Sequence, residues 1–251
     1  MATSGLRARD RFALVAQNLI AYCCAPFTLA LLWFVVHVRY RWSIVGHRNI
    51  RRRFRSELRA APGPVMVCAN HLTMVDSVLL AWALAPSWWY LLNFKKMPWN
   101  VPERKNFAHR ILPRAGAYLA KCIPLIRGGD RAQISLVLKK LRHLLAHGHA
   151  VLIFPEGGRS RTGRVGSTNP ALGTGRLIKG LPGARVLCVY LRGDHQERYS
   201  TFPVRGESFY CATSWLEPST EHEGLRGSVE ISRQIMHRIQ KMEDTYLSRA
   251  G

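Results

Sequence analysis

Residues 64–76 read Pro64-Val65-Met66-Val67-Cys68-Ala69-Asn70-His71-Leu72-Thr73-Met74-Val75-Asp76. The apolar run Val65–Ala69, bounded by Pro64 and Asn70, has the length and limits of a buried strand. Met74–Leu84 follows as a predicted helix, stopped by Pro86. Strand, turn and helix in that order open a βαβ unit. In open α/β sheets ligands bind where the strands end. This turn carries a histidine five residues before an aspartate.

Downstream the alternation continues. Trp88–Phe94 is aromatic-rich and reads as a strand. Glu103–Tyr118 reads as a helix that Pro113 should break or kink. Cys122–Ile126 and Ala150–Phe154 read as short strands. Between them, Asp130–His147 carries the clearest helical signal, with Ile134, Val137, Leu138, Leu141, Leu144 and Leu145 at helical spacing. Asp130 and Gln133 resemble a capping box, and Gly148 ends the run. Leu172–Lys179 reads as a short helix, Val186–Leu191 as a strand and Phe209–Thr213 as an edge strand. Ser228–Leu247 reads as an amphipathic helix, with Val229, Ile235, Ile239 and Met242 on one face. The pattern predicts an α/β fold with a mostly parallel sheet flanked by helices.

Upstream, Phe12–Val38 contains no Asp, Glu, Lys or Arg. That exceeds the ~20 residues a bilayer span requires. Pro26 divides it into two arms, Phe12–Cys24 and Phe27–Val38. Arg7, Arg9 and Arg11 precede it; Arg39, Arg41, Arg48 and the basic run from Arg51 to Arg55 follow. Positive residues favour the cytoplasmic side. Both flanks stay there if the arms form a membrane-associated helical hairpin that enters one leaflet and returns. The expectation is therefore a monotopic hairpin on the cytoplasmic face rather than a single span, with anionic leaflet lipids as partners of the basic flank. No small-residue cleavage site follows the run, which reads against a removed signal peptide. A buried helix pair in a soluble protein is the competing reading. Residues 1–60 are expected to form the membrane-binding part with a basic linker or surface helix, and residues 61–251 the catalytic domain.

The chain has 251 residues, 47% of them apolar, enough to fill a core and to exclude global disorder. Lys and Arg total 37 against 15 acids, a formal charge of +22. Such a charge calls for anionic partners. Nucleic acid would explain the charge but not the apolar N-terminus, and no base-reading motif is visible. A basic nucleic-acid-binding protein stays the alternative from a different class, while no nucleic acid partner is expected. The six cysteines form no Cys-x-x-Cys pair and no zinc-like cluster, so they read as reduced and structural, and no metal site is expected.

The chemistry-bearing residues sit at predicted strand ends. From the first turns of its helix, Asp76 can return to His71 and accept one ring N–H. That fixes the tautomer and leaves the other nitrogen to take a proton. Ser77 and Thr73 lack the glycine elbow of a nucleophile, so the substrate's own hydroxyl is the nucleophile of this scheme. Alone, the spacing is a weak signal that arises often by chance, met as well by a strand-capping histidine and an ordinary first-turn acid. The second string is Phe154-Pro155-Glu156-Gly157-Gly158-Arg159-Ser160-Arg161. Its glycines let the backbone approach a ligand, and Arg159, Arg161 and Arg164 suit phosphate. Glu156 can accept from substrate hydroxyls or steer an arginine. Between the two stands Ile123-Pro124-Leu125-Ile126-Arg127.

In this order the strings resemble those of the glycerolipid acyltransferase family, which includes the 1-acylglycerol-3-phosphate O-acyltransferases. The family's N-H-x-x-x-x-D is matched by Asn70, His71 and Asp76, and its second-motif arginine by Arg127. Its F-P-E-G-T-R-S is matched by Phe154–Ser160 with Gly158 in place of threonine. The resemblance covers residues 64–192. It departs at Ile126, where an acid usually precedes the arginine, and at Val186-Leu187-Cys188-Val189, where a proline is usual. The resemblance implies transfer of a fatty acyl group from acyl-CoA or acyl carrier protein, as co-substrate and without a cofactor. The implied acceptor is the free hydroxyl of a lysophospholipid, with 1-acylglycerol-3-phosphate leading and another lyso-lipid, such as a lyso-aminolipid, as the alternative. His71 and Asp76 would be catalytic. Arg127, Glu156, Gly157 and Arg159 would hold the acceptor.

Overall fold

The computed structural model describes residues 5–61, 63–106, 110–126, 128–166, 171–196 and 200–250. In chain order its elements are α1 (Ala8–Phe34), β1 (Ser43–Ile44), α2 (His47–Ala60), β2 (Val65–Ala69), α3 (Asp76–Leu84), α4 (Ser87–Leu92) and β3 (Trp99–Asn100). Then come α5 (Ile111–Leu119), α6 (Arg131–Ala146), β4 (Val151–Ile153), α7 (Leu172–Ile178), β5 (Arg185–Gly193), β6 (Ser208–Leu216) and α8 (Gly224–Ala250). The strands form one sheet in the order β1-β6-β5-β2-β4-β3. Every pairing is parallel except β5 with β6. The α/β expectation, a mostly parallel sheet flanked by helices, holds.

The period-2 geometry of the central strands divides the core in two. On β2 and β5, Val67, Ala69, Leu187, Val189 and Leu191 face one apolar cluster, which Leu79, Leu80 and Leu84 of α3 complete. Met66, Cys68, Val186, Cys188 and Tyr190 face the other, completed by Leu141, Leu144 and Leu145 of α6 and by Ile231, Ile235 and Ile239 of α8. Continuous apolar strands are what a sheet covered on both faces needs. Each fully buried aliphatic side chain contributes about 1.5–3 kcal/mol. Beneath the sheet α7 and α8 nearly touch. A Cβ on Gly175 would lie 1.9 Å from the Ser228 carbonyl oxygen, so only glycine permits this approach.

Several expectations are corrected. The N-terminal hairpin is a single helix: α1 runs past Pro26 and continues through a π-helical turn at Val35–Arg39. Its buried stripe of Leu14, Gln17, Ala21, Ala25 and Leu29 is unbroken, and Pro26 lies on the exposed face. Packing along that stripe offsets the one backbone bond that the proline removes. Gln17 adds two bonds to the C-terminal end of α5 and the turn after it, donating to the carbonyls of Tyr118 and Cys122 at 3.0 and 3.1 Å. By length and composition α1 could cross a membrane. Its outer face exposes Phe12, Leu19, Phe27, Leu31 and Phe34.

Trp88–Phe94 is not a strand. It forms α4 and leads into a 3-10 turn at Phe94–Lys96. The carbonyl of Pro86 accepts from Trp89 and Tyr90, opening the helix, and Tyr90 donates its hydroxyl to Ala81 of α3. Aromatic strand propensity is a packing preference, and here the packing favours a helix. In the 103–118 region a 3-10 turn at Arg104–Asn106 precedes α5, and Pro113 falls in the first turn of α5, where its missing N–H is not needed. Residues 107–109 lie outside the described part. Cys122–Ile126 makes only isolated bridges, Asn100 to Cys122 and Glu103 to Leu125. β6 is not an edge strand, because β1 pairs outside it. Asp130 does cap α6, accepting from the Ala132 N–H at 3.2 Å.

Candidate active site

The site forms where β2 and β4 end. Asn70 leaves β2 and turns its amide onto β5. Its Nδ2 donates to the Leu191 carbonyl at 2.9 Å, and its Oδ1 accepts from the Leu191 N–H at 2.8 Å. The side chain thus replaces one step of the ladder that ends at Ala69 and Val189. His71 leaves the sheet from this anchored point.

Asp76 is the first residue of α3, and its carboxylate folds back over the turn. Oδ2 accepts from His71 Nδ1–H at 2.8 Å and from the backbone N–H groups of Leu72 and Thr73 at 2.6 and 2.8 Å. Oδ1 accepts from the Thr73 hydroxyl. Four donors therefore hold one buried carboxylate, and the carboxylate in turn holds the imidazole. The ring lies flat on Phe154, with centroids 4.0 Å apart and planes 12° apart. With Nδ1 protonated, Nε2 carries the lone pair, and it has no protein partner among the described residues. The side chain is 14% exposed, which leaves a way in for a substrate.

Glu156 follows β4 and bridges the two motifs. Its Oε1 accepts from the His71 N–H at 3.0 Å, and Oε2 from the Gly166 N–H at 3.1 Å. The Ser160 N–H donates to the His71 carbonyl at 2.8 Å. Both backbone groups of His71 are thus held by the second motif. Burial pushes the Glu156 carboxyl up to about 7, against the lowering effect of the two N–H donors. Gly157 has φ +69°, a left-handed turn that admits glycine without strain. Arg159 follows, half-buried in the same turn. The structure therefore brings His71, Asp76, Glu156, Gly157 and Arg159 together. Arg127 lies outside the described residues.

Sequence reasoning gave no role to Asn70, Thr73 or Phe154. All three stood within the quoted strings, but their partners could not be read from spacing. An apolar cavity of about 270 Å³ opens beside this turn, lined by Phe154, Gly157, Leu125, Ile134, Val137 and Leu138 among others. A larger cavity, about 760 Å³, lies at the opposite end of the sheet near Lys179, Arg185 and Glu217. Arg185 pairs with Val65 at the start of β2, so that cavity is remote from His71.

Fold and family model together define an α/β acyltransferase. In particular, residues 41–192 match the model of the Acyltransferase family, and the chain belongs to that family. Among solved structures it is similar to the 1-acyl-sn-glycerophosphate (LPA) acyltransferase PlsC from Thermotoga maritima. That match covers 92% of this chain and 98% of the other, at 15% identity and a TM-score of 0.44. A comparison with curated proteins found no match.

Proposed function

We propose that the protein acylates the free hydroxyl of a lysophospholipid, with 1-acylglycerol-3-phosphate as acceptor and phosphatidic acid as product. Acyl-CoA or acyl carrier protein is the donor. The observation that carries this reading is the His71–Asp76 pair at 2.8 Å, with Nε2 unpartnered among the described residues beside the glycine–arginine turn. Nε2 takes the acceptor's hydroxyl proton as that oxygen bonds to the thioester carbonyl carbon. The tetrahedral adduct collapses, the C–S bond breaks, and the thiolate leaves with the proton returned by His71. Asp76 balances the imidazolium between these steps. General-base help of this kind supplies about 10²–10⁴-fold.

Arg127, Gly157 and Arg159 hold the acceptor's phosphate and glycerol, and Glu156 contributes by fixing both loops. The apolar cavity accommodates alkyl chain. The exposed face of α1 rests in the cytoplasmic leaflet, where lysolipid and product both reside. The test is a panel of acceptors, lysophosphatidic acid and a lyso-aminolipid among them, given labelled acyl-CoA and analysed by mass. Acyl transfer to lysophosphatidic acid that His71→Ala abolishes supports the reading. Transfer only to a lyso-aminolipid replaces the acceptor, and undiminished turnover by His71→Ala removes the base.

A further inference from the structure

The loop that carries Arg159, Arg161 and Arg164 is held from behind. Val165 donates its N–H to both carboxylate oxygens of Glu243 on α8, at 3.1 and 3.0 Å. Two residues earlier, the Gly163 carbonyl accepts from Arg192 Nη1 at 2.6 Å. The Arg192 guanidinium also lies over the Tyr246 ring, 5.9 Å from its centroid, one turn along α8 from Glu243. The next residue, Gly166, is the one that bonds Glu156, and Glu156 bonds the His71 N–H. Hydrogen bonds joined by the Val165–Gly166 peptide link thus connect α8 to the backbone of His71.

Glu243 is 3% exposed and continues the buried stripe of Ile235 and Ile239. A leucine there would avoid the cost of burying a carboxylate, which commonly exceeds what its contacts return. Burial does raise the Glu243 carboxyl, while the Val165 N–H, Arg164 and Arg192 act in the opposite direction. An acid at such a position serves geometry better than stability.

We infer that Glu243, with Arg192, is a positioning residue that holds the Arg159–Gly166 loop in register with His71 and so sets the site of the acceptor's phosphate. The inference rests on the acceptor role proposed above for this loop. It is tested by steady-state kinetics of Glu243→Ala, Glu243→Gln and Arg192→Met with acyl-CoA and lysophosphatidic acid. Glu243→Ala should raise the acceptor KM about 10- to 100-fold, the scale expected when a binding group shifts by about 1 Å. The donor KM should stay at the wild-type value. Glu243→Gln, which keeps one acceptor for Val165, should recover part of the loss. Arg192→Met should show the same split and reads it even where Glu243→Ala does not accumulate folded. A purely structural role would lower the active fraction and leave both KM values unchanged. That result, or wild-type kinetics in folded variants, overturns the inference. Failure of the acceptor reading shows separately, as an unchanged acceptor KM in Arg159→Ala or full turnover by His71→Ala.

Discussion

Asn70 and Leu191 exchange two hydrogen bonds, one in each direction, at 2.9 and 2.8 Å across 121 residues of sequence. The asparagine of the first motif is therefore a clasp between strands, placed one residue before the histidine it steadies. Replacing it with alanine leaves both peptide groups of the buried Leu191 unpaired, each at a cost of about 1–3 kcal/mol. Asn70→Ala is expected to lose ~2–4 kcal/mol in denaturant unfolding and to lower kcat as the turn loosens. A loss below ~0.5 kcal/mol would show that water or a shifted strand replaces the clasp.

Asp76→Asn should separate charge from position. The amide oxygen can still accept from Leu72 and Thr73, so the turn keeps its shape. The negative charge facing His71 is lost, and with it the stabilisation of the imidazolium. kcat should fall about 10²–10⁴-fold, with the acceptor KM unchanged. Steady-state kinetics measures both, and a loss expressed in KM alone would place Asp76 in binding instead.

Glu156 sets a pH dependence. Its carboxyl is ionised in the unfolded chain above its ordinary value of 4.5 but keeps its proton up to about 7 in the fold. Between those values the folded state binds the extra proton, so this group's contribution to stability falls as pH rises. The ionised form, however, is the better acceptor for the His71 and Gly166 N–H groups. Activity should therefore rise through about pH 7 while stability relative to Glu156→Gln declines from pH 4.5 to 7. Profiles of kcat/KM and of unfolding midpoint against pH check the two limbs. An acid limb unchanged in Glu156→Gln would assign it to another group.

Lys121 works in the opposite sense. Its side chain is fully buried, donating to the carbonyls of Phe94 and Met97 at 2.9 and 2.8 Å and lying over the rings of Phe94 and Trp99. No carboxylate pairs with it among the described residues, and burial pulls its ammonium down to about 7. Between pH 7 and 10.5 the unfolded chain holds a proton that the fold has released. Stability from this site therefore rises with pH through that window. The difference in unfolding free energy between wild type and Lys121→Met should grow in favour of wild type from pH 7 to 10. A constant difference would mean that the lysine stays charged in the fold.

Much of this molecule is written locally. The core strands, the capped helix α6 and the glycine turn after β4 follow from apolar runs, Asp130, Gly148 and Gly157, because period and punctuation act over a few residues. The pairing of His71 with Asp76 is similarly short-range, five residues within one turn. What the tertiary structure alone decided lies further apart. It turned the aromatic run after Pro86 into a helix, since Tyr90 had α3 to bond. It drew α1 straight past its proline, since the stripe from Leu14 to Leu29 had α4, α5 and α6 to pack against. And it joined Glu156 to His71, Asn70 to Leu191 and Glu243 to Val165, across 85, 121 and 78 residues. Such pairs depend on the order and register of the strands, which no local pattern encodes.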